Sequence, residues 1–167
     1  MEIFLVAVFS YFCGSIPFGL ILTKAFSDKD IRSIGSGNIG ATNVLRTGNK
    51  YLAFSTLILD ILKGYFAVII TQQYFIEYIQ LSALMVFLGH LFPIWLKFKG
   101  GKGVATFLGI MFVLSLNLSF IFCISWIIIS LVTKYSSLSS IMSALIIFAF
   151  SFLNNDFELS SYLFITF

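Results

Sequence analysis

The sequence predicts an all-α integral membrane protein, a polytopic helical bundle of six spans or short helices followed by a truncated seventh. Of its 167 residues, 59% are hydrophobic and only 10% are charged. A soluble domain carries about 25% charged and 45–50% apolar residues, so the apolar excess must face lipid. Apolar stretches long enough to cross a bilayer recur between short polar segments. We therefore expect one membrane-embedded domain over residues 1–167.

The first three apolar stretches predict membrane spans over residues 3–23, 52–73 and 79–96. Each is close to the ~20 residues with which a helix crosses ~30 Å of hydrocarbon. Gly14 and Pro17 interrupt the first stretch near its end. Such residues are tolerated in membranes where neighbouring protein satisfies the backbone. We therefore expect this end to pack against other helices or to line a cavity.

The stretch 104–132 is long for a single crossing, since one helix of this length would measure about 44 Å. A turn at residues 115–119, with the sequence Ser-Leu-Asn-Leu-Ser, would divide it into two limbs. Residues 141–153 then make a sixth segment, and 157–167 begin a seventh that is too short to span. The pattern predicts a hairpin at residues 115–119.

The distribution of charge supports this hairpin. With it, all ten Lys and Arg residues lie on or near one side of the membrane. The charged residues on the other side are all acidic, namely Glu2, Glu77, Asp156 and Glu158. By the positive-inside rule, the amino terminus lies outside and the basic loops face the cytoplasm. Topology thus explains the net charge of +3, and no nucleic-acid partner is expected.

A polar, glycine-dense segment separates the first two spans and reads Gly35-Ser36-Gly37-Asn38-Ile39-Gly40-Ala41-Thr42-Asn43. Glycines let backbone N–H groups turn inward, which is typical of an anion or phosphate cradle. The spacing of its glycines matches the dinucleotide-binding fingerprint, and Asp60 stands where that fingerprint expects an acidic residue. The fingerprint also requires a βαβ unit, whereas this segment lies between membrane helices. A nucleotide site is therefore rejected.

A second glycine-rich segment follows the third span and reads Lys97-Phe98-Lys99-Gly100-Gly101-Lys102-Gly103-Val104-Ala105-Thr106. It opens into another apolar stretch, and glycines ahead of a helix N-terminus suit a phosphate group. It is not a Walker A loop, because Leu96 and Gly103 occupy positions that need Gly and Ser or Thr. Arg46 and Lys102 would supply fixed cations. The alternative is that the glycines serve helix packing and the cations serve topology.

Other polar residues leave two interpretations open. Asp60 and Lys63 share one helix face, either as a structural ion pair or as the mark of an intramembrane site. His90, alone in an apolar span, is more typical of helix packing than of a catalytic base, and no triad is predicted. Residues 135–140 form either an interfacial turn or a set of hydroxyls for a polyol substrate. Cys13 and Cys123 are expected to be core residues, with no metal or redox role.

These segments closely resemble the bacterial PlsY-type acyl-phosphate:glycerol-3-phosphate acyltransferase family. The resemblance covers nearly the whole chain, from the first span to the sixth. It rests on both glycine segments and on several shorter matches. These are residues 14–17, 35–46, 89–90, 98–106 and 135–138, together with Asp60, Lys63 and Gly64.

The resemblance implies transfer of a fatty acyl group from acyl phosphate to glycerol 3-phosphate, which forms lysophosphatidic acid and phosphate in phospholipid biosynthesis. It implies a multi-pass protein of the bacterial cytoplasmic (inner) membrane, with no cofactor or metal. By the same resemblance, Arg46, Lys102 and Ser137 would be the catalytic residues, with Asp60, Lys63 and His90 in supporting roles. The substrate- and phosphate-binding residues would be Ser36, Gly37, Asn38, Gly40, Thr42, Asn43, Gly100, Gly101, Gly103 and Thr106.

The sequence departs from the family in one respect. The family continues into a third motif that contains His, Asn and Glu, and this chain ends at Phe167 before it. We therefore expect a C-terminally truncated chain with impaired activity. Two alternatives are a transporter or channel for a phosphorylated metabolite and an inactive remnant. The sequence does not indicate an oligomeric state.

Overall fold

The computed structural model describes residues 1–27 and 29–154, which are helical and contain no β-strand. Five helical segments are long and apolar enough to cross a membrane, and a sixth, Val104–Leu114, is apolar but shorter. The prediction of an all-α polytopic membrane protein is confirmed. The spans are Glu2–Phe26, Lys50–Tyr74, Ile76–Leu96, Leu116–Thr133 and Ser136–Leu153.

Most of the helices follow one another with short connections, and the two longer connections, between α2 and α3 and between α5 and α6, contain the glycine-rich segments. Short 3-10 turns flank several of them, at Ile31–Ser33, Leu45–Thr47, Ile76–Tyr78 and Ile94–Leu96. The α-helices are α1 (Glu2–Ser15), α2 (Phe18–Phe26), α3 (Ala41–Val44), α4 (Lys50–Tyr74), α5 (Ile79–Leu91), α6 (Val104–Leu114), α7 (Leu116–Thr133) and α8 (Ser136–Leu153).

The first predicted span is two helices rather than one. Ile16 and Pro17 leave the helical conformation between α1 and α2, because proline lacks an N–H group and clashes with the preceding turn. The break exposes carbonyl groups that would be costly in lipid, and other side chains satisfy them. Trp95 Nε1 donates to Ser15 O at 2.6 Å, and Lys63 Nζ donates to Ile16 O at 2.8 Å. This end packs against other helices, one of the two predicted outcomes.

Two segments that could have been turns, residues 115–119 and 135–140, are largely helical. The break in residues 104–132 falls at Ser115, which is extended and caps α7, but Leu116–Ser119 are helical rather than a turn. Ser115 Oγ accepts from Leu118 N, so one hydroxyl suffices to start the new helix. Residues 136–140 likewise form the first turns of α8 instead of an interfacial turn. The seventh segment, 157–167, lies outside the described residues.

The chain divides into two compact units, Met1–Ile110 and Met111–Phe167. In the second, α7 packs on α8, and Trp126 Nε1 donates to Ser140 Oγ at 3.1 Å. Whether the chain acts as the single domain expected from the sequence stays a prediction.

In the first unit, α1 and α5 run in the same direction and pack closely. Ser10 Oγ lies 2.8 Å from Ser82 Oγ, and Gly14 lies directly against the carbonyl group of Val86. A Cβ atom at Gly14 would overlap that carbonyl, so only glycine allows this approach. α4 contacts both α1 and α5 and completes the core of the unit.

Candidate functional site

The first glycine loop, residues 35–43, leaves regular structure at two glycines. Gly35 has φ +57° and Gly37 has φ +70°, a left-handed conformation that residues with a side chain adopt at a cost. Apolar residues beside and within the loop anchor it below the surface. Ile31, Ile39 and Val44 are buried in one cluster with Leu20, Leu52 and Ala53.

Asn43 holds this loop in shape from inside. Its side chain is buried, and its Nδ2 group donates to the carbonyls of Ile31, Ile34 and Asn38 at 2.8–3.0 Å. Its Oδ1 atom accepts from the Ser36 N–H at 3.1 Å. The polar groups of Asn43 are therefore engaged within the loop. Asn43 therefore shapes the loop, and the role in phosphate binding that the resemblance implies for it stays a prediction.

Two more backbone donors are used internally. The Gly40 N–H donates to Asn38 Oδ1 at 2.9 Å, and the Gly37 N–H donates to Ile34 O at 3.0 Å. Ser36 and Thr42 are exposed at the loop surface. The Ser36 hydroxyl can therefore face a ligand, and the internal hydrogen bonds of the loop fix its position.

Arg46 lies against the same loop. A Cβ atom built on Gly35 would come within 2.6 Å of both Cδ and Nη1 of Arg46, so the guanidinium rests over that glycine. Arg46 is exposed, and within the described residues it makes no ion pair. An exposed guanidinium on a rigid loop is well suited to bidentate contact with a phosphate.

The second glycine loop, residues 97–103, folds back onto the end of α5. The N–H groups of Gly100 and Gly101 donate to Leu91 O and His90 O at 2.9 and 3.1 Å. No Cβ would fit at either glycine, because the backbone of residues 90–91 and the His90 ring fill the space. Gly103 has φ +80° and packs on the ring of Phe87. The loop is a tightly packed hairpin that needs glycine for steric reasons.

Two residues of this segment differ in exposure. Lys102 is exposed, just before the first turn of α6. Thr106, in that turn, is fully buried, and its Oγ1 lies 3.1 Å from His90 Nδ1. Lys102 therefore lies at the surface, whereas the Thr106 hydroxyl contacts His90 inside the protein.

A buried polar cluster lies beneath the second loop. Lys63 Nζ is 2.8 Å from Asp60 Oδ1, and both side chains are at most 4% exposed. His90 Nδ1 is 3.9 Å from the same carboxylate oxygen. The ion pair anticipated from the helical spacing of Asp60 and Lys63 is present. The cluster joins α4, α5, the α1–α2 break and α6, a set of contacts that sequence spacing could not show.

The two glycine loops lie at the same end of the first unit. α4 starts after the first loop, α5 ends before the second, and a short connection around Ile76–Tyr78 joins the two helices. Leu96, just before the second loop, also packs against the apolar cluster that anchors the first loop. Arg46 and Lys102 therefore belong to one end of one compact unit.

Ser137 belongs to the second unit. It is exposed in the first turn of α8. Its predicted part in the site stays a prediction. Within residues 1–27 and 29–154, no three His, Cys, Asp or Glu side chains come together as a metal site would require.

Sequence reasoning passed over Asp30 and Arg32 beside the first loop. Asp30 Oδ2 lies 2.6 Å from Arg32 Nη2, and Asp30 Oδ1 accepts from the Arg32 backbone N–H. These hydrogen bonds, chiefly those of the Arg32 side chain, hold the pKa of Asp30 below its ordinary value, while the pairing raises the pKa of Arg32. An acidic residue two positions before an arginine, ahead of a short helical turn, was the available signal.

The fold and the two loops define an all-helical, multi-pass membrane protein with two glycine loops, each beside an exposed cation, at one end of a helical unit. The family model described as glycerol-3-phosphate acyltransferase matches residues 4–167. The chain belongs to this family, which confirms the resemblance seen in the sequence.

Relatives and solved structures agree with this assignment. A glycerol-3-phosphate acyltransferase of Pelagibacter ubique is 57% identical over 147 residues, covering 88% of this chain and 77% of the relative. One of Brucella anthropi is 53% identical over 140 residues, covering 84% and 70%. The glycerol 3-phosphate form of PlsY, an integral membrane glycerol 3-phosphate acyltransferase, is 34% identical with a TM-score of 0.92. Its lysophosphatidic acid form is 32% identical with a TM-score of 0.89, and each covers 99% of this chain and 84% of the solved chain.

Proposed function

We propose that this chain transfers a fatty acyl group to the 1-hydroxyl of glycerol 3-phosphate, with acyl phosphate as the donor. The products are 1-acylglycerol 3-phosphate and inorganic phosphate, in phospholipid biosynthesis. The observation that carries this proposal is the pair of glycine loops, each with an exposed cation, at one end of one unit. The relatives' names and the two solved ligand forms support the same acceptor.

The two substrates bind to different groups of this end of the unit. The first loop, with Ser36 at its surface, holds the phosphate of the acyl donor, and Asn43 and the Asn38 side chain keep it in shape. Arg46 and Lys102 hold glycerol 3-phosphate. Two anions ~4 Å apart repel by about 4 kcal/mol at an effective dielectric of ~20, so the cations are needed to bring the substrates together.

The chemistry needs no covalent intermediate on the protein. The 1-hydroxyl oxygen attacks the acyl carbon, the bond from that carbon to the phosphate oxygen breaks, and a phosphate oxygen takes the hydroxyl proton. Acyl phosphate is already activated, so alignment of the reactants and stabilisation of the oxyanion supply the catalysis. Rapid quench during turnover should yield no acylated protein, and recovery of a kinetically competent acyl-enzyme would refute direct transfer.

The protein lies in the bacterial inner membrane with both glycine loops in the cytoplasm. This orientation is supported by the basic residues of the loop end and by Glu77 in the connection at the opposite end of α4 and α5. A cytoplasmic site also matches the supply of a water-soluble phosphorylated acceptor.

The direct test is phosphate release in detergent from acyl phosphate plus glycerol 3-phosphate. Arg46→Ala and Lys102→Ala should each lower kcat/KM at least about a hundredfold. Lys50→Ala, which removes an exposed cation at the start of α4, is the matched control and should retain activity. Unchanged transfer in the Arg46 and Lys102 variants would overturn the assignment. Anion flux into liposomes without transfer would favour the transporter alternative.

A further inference from the structure

His90 contacts the chain on both sides of Lys102, at Gly101 in the second glycine loop and at Thr106 in the first turn of α6. Its Nδ1 atom lies 3.1 Å from the Thr106 hydroxyl, four residues after Lys102. Its Nε2 edge faces Gly101, immediately before Lys102, so closely that a Cβ at Gly101 would overlap the ring. The ring, which is 4% exposed, therefore sits under the segment that carries the exposed cation.

The main chain of His90 makes a third contact with the same segment. His90 O accepts from the Gly101 N–H at 3.1 Å, and Leu91 O accepts from the Gly100 N–H at 2.9 Å. The imidazole fills the space that a side chain on Gly101 would occupy. Loop and ring are thus mutually fitted, and a change in either must displace the other.

The ion pair on α4 lies beside the imidazole. Asp60 Oδ1 lies 3.9 Å from His90 Nδ1, and Lys63 Nζ holds that carboxylate at 2.8 Å. Lys63 is fixed at its other side by Ile16 O. These side chains are at most 4% exposed, and a close-packed interior leaves the imidazole little room to move.

We propose that His90 is a positioning residue that fixes the Lys102 segment for the binding of glycerol 3-phosphate. It acts through Gly101 and Thr106 and does not itself touch substrate, and the Asp60–Lys63 pair packs beside its ring. The inference rests on the proposed role of Lys102. In this role His90 is not a general base, and it does more than pack between helices.

The kinetic test compares His90→Ala with His90→Asn, which keeps a polar group near the Nδ1 position for Thr106. We expect His90→Ala to raise KM for glycerol 3-phosphate about tenfold, because displaced binding groups lose alignment, while KM for acyl phosphate stays near the wild-type value. His90→Asn should recover part of this loss. The matched control is Ser82→Ala, which also replaces a buried polar side chain on α5 with an apolar one but lies away from the loop.

A double-variant test isolates the contact between ring and loop. Gly101 does not have a positive φ, so only the His90 ring and its neighbours oppose a side chain there. Gly101→Ala should raise KM for glycerol 3-phosphate about tenfold in the wild type and less than about threefold in the His90→Ala background. Equal effects in both backgrounds would overturn the proposal.

Hydrogen exchange supplies a readout that does not depend on activity. In detergent, His90→Ala should speed amide exchange in peptides covering residues 100–103 and leave residues 35–43 unchanged. If wild-type protein transfers no acyl group, the proposed function fails, but this exchange result still supports or refutes the positioning role. Wild-type exchange and wild-type KM in His90→Ala would refute it, as would an equal rise in KM in Ser82→Ala.

Discussion

At the scale of single residues, Asn43 is the clearest case of a polar side chain whose hydrogen bonds shape a binding loop. Three carbonyls accept from its amide group and one N–H donates to its oxygen, all within residues 31–43. A buried amide with this many partners is costly to remove, because each partner is left without its bond.

Asn43→Ala should therefore lower the free energy of unfolding by about 2–3 kcal/mol. It should also raise KM for acyl phosphate, since the first loop loses its shape. Equilibrium unfolding in mixed micelles and initial-rate kinetics measure the two effects. Asn49→Ala removes only the cap of α4, which accepts from Leu52 N, and should cost about 1 kcal/mol. Equal losses in the two variants would contradict the special role of Asn43.

The loop could be identified from the sequence, but the contacts that each of its polar residues makes could not. Ser36 and Asn43 both carry polar side chains that form hydrogen bonds, and they lie close together in the chain. Ser36 is nevertheless exposed and Asn43 is buried. Thr106 shows the same limit, because its contact with His90 joins two different helices. Which polar group is used internally depends on tertiary distances that spacing does not encode.

The Asp60–Lys63 pair allows a second prediction at this scale. Lys63→Met leaves a buried carboxylate without its partner and should destabilise the protein by about 3–5 kcal/mol. The double variant Asp60→Leu with Lys63→Met removes both charges and should recover much of that loss. Unfolding in mixed micelles compares them. A double variant no more stable than Lys63→Met would show that the bond to Ile16 O, and not the ion pair, carries the effect.

At the scale of elements, close helix contacts through glycine organise the first unit. Gly14 meets the Val86 carbonyl, Gly89 meets the Tyr11 carbonyl, and Gly64 on α4 meets the Thr106 carbonyl. Small residues at such contacts let backbones approach, and packing of this kind drives association where lipid removes the hydrophobic contribution.

Gly14→Ala should lower the free energy of unfolding by about 1–3 kcal/mol, because its Cβ would overlap backbone that cannot shift freely. Thermal unfolding in detergent is the measurement. Gly48→Asn is the control, since no atom lies within 4 Å of a Cβ there and asparagine tolerates the left-handed φ of +90°. Similar losses in both variants would show that chain flexibility, not helix contact, is what glycine provides at Gly14.

Helix positions were predictable from apolar length, whereas local breaks were less so. Apolar runs located every described span because the bilayer demands long apolar helices. The α1–α2 break followed from Pro17, but the side chains that satisfy it, Trp95 and Lys63, come from distant parts of the chain. The helical start of α8 differs from the interfacial turn that was one of two interpretations of residues 135–140. Serine is tolerated in a helix when its hydroxyl donates to a carbonyl one turn back, as Ser139 and Ser140 do.

At the scale of the whole molecule, the charges at the two ends of the first unit support the proposed orientation in the membrane. The loop end of the first unit carries Arg46, Lys97, Lys99 and Lys102, whereas the connection at the other end of α4 and α5 carries Glu77. By the positive-inside rule, this distribution of charge supports the proposal that the loop end faces the cytoplasm.

Cysteine labelling in intact cells tests this orientation, starting from a Cys13→Ala, Cys123→Ala background that removes both native thiols. A cysteine at Glu77 should react with a membrane-impermeant maleimide added outside. A cysteine at Lys99 should react only after the inner membrane is opened, because the proposed orientation puts the loop end in the cytoplasm. Both positions are exposed in the structure, so a difference in labelling reports the side of the membrane and not burial. The opposite pattern would place both glycine loops outside, away from the cytoplasmic supply of phosphorylated substrates that the proposed acyl transfer requires.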